Sequence, residues 1–161
     1  MPENPEDQAV PVLVAMSLRQ FLQVVFIGAI VGGITWGLTV LLDAYVVKAV
    51  VCHGPAAARC GMSLQYATAS ASIITAGLAV AGLARLQVFR SLLVGIAVTF
   101  TLWNEVMVLI TSSSWQMALL LSLGMYALAY ALMAWLVRLR PFVVAVVIVI
   151  VAVVAFRLML Y

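Results

Sequence analysis

The chain has 161 residues, 67% hydrophobic and 8% charged, with eight Lys or Arg against five Asp or Glu and a formal net charge of +3. Soluble domains carry roughly 45–50% apolar and about 25% charged residues, so a water-soluble globular fold is excluded. Disorder and nucleic-acid binding are excluded with it, because basic residues that stand singly form no patch for phosphates. The class that remains is all-α, a polytopic transmembrane helical bundle in contact with the lipid bilayer.

Residues 1–18 carry Glu3, Glu6, Asp7 and three prolines, with no basic residue before Arg19. This reads as a polar tail without the basic start and short apolar core of a secretory signal. Residues 19–161 then form a single transmembrane domain. Residues 21–42 hold 22 uncharged positions, roughly 33 Å of helix and enough to cross the hydrocarbon core. The first span is placed at about 21–47 and the second at 64–84, closed by the short connection Arg85 to Arg90. The third runs over 92–110 with Glu105 inside it. Ser112, Ser113 and Ser114 predict a turn into the fourth, 115–137, because hydroxyl side chains bond local backbone groups.

Pro141 opens the fifth span, 141–160, at a position where a helix tolerates proline. Its valine-rich run is bounded by Arg140 and Arg157 and is short unless those side chains reach outward. A four-span bundle with this run lying in the interface is the alternative, but the run lacks the polar face such a helix needs.

Five spans put the termini on opposite sides. With the N-terminus inside, Arg19, Arg85, Arg90, Arg138 and Arg140 are cytoplasmic and Lys48, Arg59 and Arg157 are outside, the asymmetry the positive-inside rule requires. This orientation places Cys52 and Cys60 in an outer loop, where two thiols pair. The location expected is a bacterial inner (plasma) membrane, with the N-terminus cytoplasmic and the C-terminus outside. The loop also holds His53 and Met62, but the spacing fits no zinc pattern, so a disulfide is preferred and no metal or cofactor is expected.

On the first span Gly28, Gly32, Thr35, Thr39 and Asp43 are spaced four, three, four and four, one helical face. The helix reads twice as GxxxG, at Gly28/Gly32 and at Gly33/Gly37, which permits close approach of a neighbour. Span two offers Thr68, Ser72 and Ala76 on one ridge and Ala67, Ala71, Thr75 and Ala79 on the next, so packing of spans one and two is expected ahead of a homodimer face.

Glu105 is the first candidate site residue. A carboxylate in mid-membrane costs about 2.5–3.5 kcal/mol on insertion scales and so faces a partner, a cavity or a pathway. Thr101 lies one turn before it and Asn104 beside it. Together with Asp43, Thr39 and Thr35 these residues form the candidate intramembrane polar site, concentrated toward the outer leaflet. Asp43 and Lys48 are five apart, outside the favoured spacing on an α-helix, and Asp43 is taken as an interfacial charge. Tyr126 and Tyr130 are expected to pack or hydrogen-bond.

No catalytic motif is present. The function expected is a non-catalytic accessory, assembly or regulatory subunit, partnered by other membrane subunits or by self-association. The alternative is a small transporter or channel with Glu105 as its proton or cation coupling site. An intramembrane enzyme using Asp43 and Glu105 as acid and base ranks last, since no motif supports the pair.

Overall fold

The computed structural model describes residues 17–52, 60–88, 90–103, 105–138 and 142–160. The described chain is all-helical. Helix α1 is Leu18–Leu41, continued by a π-helical turn over Leu42–Val47 and by α2, Lys48–Val51. Then come α3 (Ser63–Arg85), α4 (Ser91–Thr101), α5 (Glu105–Ser112), α6 (Trp115–Leu136) and α7 (Phe142–Leu160).

The ends of these helices follow local chemistry. Ser17 caps α1: its hydroxyl accepts the Gln20 amide at 3.2 Å while the Gln20 side chain accepts the Ser17 amide at 3.2 Å, a capping box. The α3–α4 connection is tight and passes through two left-handed residues, Gln87 (φ 53°) and Arg90 (φ 56°). Of the serine triplet expected to form the turn, Ser112 is the last residue of α5, and Ser113 with extended Ser114 makes the connection to α6.

Leu18–Val50, Cys60–Arg85 and Trp115–Leu136 are long and apolar enough to cross a membrane. The third hydropathic segment differs from the continuous helix expected. It is two helices, α4 and α5, bent by 42° after Thr101, and counts as a fourth span only if the pair is taken together. The described apolar stretch of α7, Val143–Ala155, is shorter than these spans. Hydropathy alone could not see the break, because the residues on both sides of it are as apolar as a helix interior.

Helix α1 is the hub, packed along α6 and α3; α4 rests on α3 and α6, α5 on α6 and α3, and α7 on α4 and α6. The core is divided by polarity along its length. Toward the start of α1 it is aliphatic and aromatic, with Val24, Leu83, Val94, Val98, Tyr130 and Met133 buried. Toward the end of α1 it is polar, with Thr35, Thr39, Asp43, Thr68, Ser72, Thr75 and Ser122 buried.

Candidate functional site

The polar half of the core is built from one stripe on each of three helices. On α1 the stripe Thr35, Thr39, Asp43 repeats every four residues, and on α3 Ala67, Thr68, Ala71, Ser72 and Thr75 are buried together. On α6 the stripe is Ala118, Ser122, Tyr126 and Tyr130. Thr35 Oγ1 lies 2.8 Å from the Val31 carbonyl oxygen and 2.9 Å from Thr75 Oγ1. A hydroxyl has a single proton, so Thr35 either donates back into its own helix or across to α3. The Tyr126 phenol faces the Thr35 and Ser72 hydroxyls from α6. Thr39 donates to the Thr35 carbonyl at 2.8 Å and Thr68 to Leu64 at 2.8 Å, satisfying each donor inside its own helix.

The glycines resolve into two unlike pairs. Ser122 Oγ donates to the Gly32 carbonyl at 2.9 Å. A Cβ on Gly32 would stand 2.6 Å from the Ser122 carbonyl oxygen, and one on Gly28 would stand 2.9 Å from the Tyr126 carbonyl oxygen. Gly28 and Gly32 therefore let α1 lie against α6; the expected packing of spans one and two is present as well, with Thr35 meeting Thr75 across it. Gly33 and Gly37 are open. The nearest atom to a Cβ on Gly33 is a Leu123 methyl at 3.9 Å, and Gly37 has nothing within 4 Å. Beside them Trp36, Val40, Ile110, Trp115 and Ala118 line a groove of about 350 Å³.

The π-turn corrects the reading of Asp43. Its backbone bonds skip one residue more than an α-helix, so the Lys48 amide donates to the Asp43 carbonyl and residue 48 stacks over residue 43. Lys48 Nζ then sits 2.7 Å from Asp43 Oδ2, with the carboxylate side chain 12% exposed and the lysine 54%. The spacing that disfavours an α-helical ion pair suits this turn. Asp43 Oδ1 is buried and receives no donor among the described residues. The chain continues through α2 to Cys52, which is disulfide-bonded to Cys60 with their Cα atoms 4.9 Å apart, so the polar end of α1 is tied to the start of α3.

Among the described residues no side-chain hydrogen bond or ion pair joins Glu105 to this cluster. Glu105 opens α5, half-buried, with its amide donating to the Leu102 carbonyl at 3.2 Å. A carboxylate in the first turn of a helix is favoured by the macrodipole. Thr101, one turn earlier, is buried and spends its hydroxyl on the Ala97 carbonyl at 2.8 Å. Asn104 lies outside the described residues. Glu105 and Asp43 stand on different elements, and no bond between them is made. A groove of about 320 Å³ opens beside the break, lined by Thr101, Leu102, Met125, Leu128, Ala129 and neighbouring apolar side chains.

Ser122 is the contributor that sequence reading missed. Its signal was present: it falls four residues before Tyr126 and eight before Tyr130, on the face α6 buries. Among the described residues no group of three His, Cys, Asp or Glu stands close enough to hold a metal ion. Compared with known proteins, the chain matches no family model, no curated sequence and no solved structure.

Proposed function

We propose that the protein is a non-catalytic accessory subunit of a membrane complex, spanning a bacterial inner membrane five times, with its N-terminus in the cytoplasm. The observation that carries this reading is the unused half of the doubled glycine motif. Gly33, Trp36, Gly37 and Val40 form one stripe at helical spacing, next to a groove of about 350 Å³ between α1 and the α5–α6 corner. Two glycines already hold α6 close; a Cβ on either of the other two would meet at most one methyl group. A small-residue stripe flanked by tryptophans suits a further transmembrane helix, because association in lipid depends on close packing where no hydrophobic force operates.

The bundle's own polar groups support the same reading. The threonine hydroxyls and Ser122 are engaged in bonds within or between helices, which suits a scaffold. Co-purification from the source membrane in mild detergent tests the proposal. Wild type is expected to bring down a defined membrane partner that Gly37→Leu loses, with the bundle's melting unchanged. A lone particle in both samples would overturn it.

The second reading is a small transporter with Glu105 as its coupling residue, favoured by one observation. Transporters place their sites at broken helices, and Glu105 sits where the third hydropathic segment breaks by 42°. Flux in proteoliposomes that disappears in Glu105→Gln would select this reading over the first.

A further inference from the structure

The end of the bundle opposite Asp43 carries a third, larger groove. It has a volume of about 870 Å³ and lies between the start of α1 and the end of α3, lined by Arg19, Leu22, Gln23, Phe26, Ile27 and Leu86. Its chemistry is graded along α1. Arg19 and Gln23 stand one turn apart at the mouth, and Leu22, Phe26 and Ile27 continue it toward the middle of the span.

Three observations give the mouth a positive character. Arg19, which lines the groove, is exposed and has no ion-pair or hydrogen-bond partner among the described residues, and exposed Arg85 precedes the lining residue Leu86 in the chain. The described acidic side chains, Asp43 and Glu105, lie at the far end of α1 and at the start of α5. The capping box satisfies the Ser17 and Gln20 amides, while the Leu18 and Arg19 amides are left without intrahelical acceptors by their position, at the end of a 24-residue helix where the macrodipole is positive.

We propose that this groove binds one anionic phospholipid, its phosphate at Arg19 and the first-turn amides of α1 and one acyl chain along Leu22, Phe26 and Ile27. Charge complementarity selects the headgroup: a zwitterionic lipid brings a second charge of the wrong sign to the same mouth. The apolar floor selects a lipid over a soluble phosphate. Basic pockets between transmembrane helices take such headgroups, with each basic residue adding measurably to affinity.

The test is native mass spectrometry of the full chain in detergent, titrated with phosphatidylglycerol or phosphatidylcholine. One phosphatidylglycerol is expected to remain bound at collision energies that strip phosphatidylcholine. Arg19→Gln should weaken the anionic lipid about five-fold, and Phe26→Ser should weaken it while leaving the charge preference intact. Both side chains are exposed, so both variants should fold, which circular dichroism checks. Equal retention of the two lipids, or an unchanged affinity in Arg19→Gln, would overturn the proposal. So would displacement by glycerol phosphate alone, which would make the ligand a free phosphate. The acidic residues Glu3, Glu6 and Asp7 precede this helix. If the full chain held phosphatidylglycerol no better than phosphatidylcholine and preferred it only once these three were neutralised, the tail would be the occupant and the lipid assignment would fail.

Discussion

Replacing Gly32 with alanine tests the close approach of α1 and α6. The new Cβ would lie 2.6 Å from the Ser122 carbonyl oxygen and 2.9 Å from the Tyr126 Cβ, so α1 and α6 must separate by about 0.8 Å to reach the 3.4 Å of ordinary contact. Backbone on both sides leaves no side-chain rotation to absorb the clash. Overpacking of this kind costs about 1–3 kcal/mol. The same movement stretches the 2.9 Å bond from Ser122 to the Gly32 carbonyl, worth about 0.6 kcal/mol in a membrane protein. Against this, alanine is the better helix former by about 0.5–1 kcal/mol. A net loss of about 0.6–3 kcal/mol follows from these contributions. Gly37→Ala is the matched control, because its Cβ enters open space and only the helix-forming gain remains. Reversible unfolding in mixed micelles, titrated with dodecyl sulfate and followed by circular dichroism, measures both. If the two variants differed by less than about 0.5 kcal/mol, roughly the scatter expected between independent sites, the α1–α6 contact described here would be wrong.

Three further outcomes follow from the site. Lys48→Met should destabilise the bundle by about 1–2 kcal/mol, less than the 3–5 of a fully buried pair because Lys48 is half exposed; a double-mutant cycle with Asp43→Asn should return a coupling near 1 kcal/mol, and zero coupling would mean that the π-turn does not bring the two together. Reduction of Cys52–Cys60, separated by eight residues, should cost about 2.5 kcal/mol by the loop-entropy relation. Alkylation before reduction should modify neither cysteine, and labelling of both in the untreated protein would contradict the bond. Glu105→Gln should leave both folding and partner retention intact under the accessory reading, since no bond of the Glu105 side chain ties α5 to the bundle among the described residues; a loss of more than about 1.5 kcal/mol, close to the largest interhelical polar contact measured in membrane proteins, would show that the side chain has a partner.

The amino-acid sequence made some of this legible for clear physical reasons. Periodicity exposed the Thr35–Thr39–Asp43 stripe and both α3 ridges, because in an otherwise apolar helix a four-residue repeat of small and polar side chains marks the face turned away from lipid. The cysteine pair was legible from the short loop that carries both thiols. Three features were not. GxxxG reports that a helix can be approached closely but not by which neighbour, and at Gly28 and Gly32 the neighbour is α6. The π-turn leaves no composition mark in LDAYVV, and without it the five-residue step from Asp43 to Lys48 reads as a mismatch. The break before Glu105 lies in a segment without proline, and it makes Glu105 the first residue of a helix where hydropathy placed it inside one.

The central claim is that the stripe of Gly33, Trp36, Gly37 and Val40 receives another transmembrane helix. A photo-crosslinking residue in place of Val40, 39% exposed in the groove wall, tests it in the native membrane, with the same residue at Leu128, 73% exposed on α6, as the comparison. One discrete protein adduct is expected from position 40, abolished by Gly37→Leu, with only lipid adducts from position 128. Lipid adducts alone at both positions would contradict the claim.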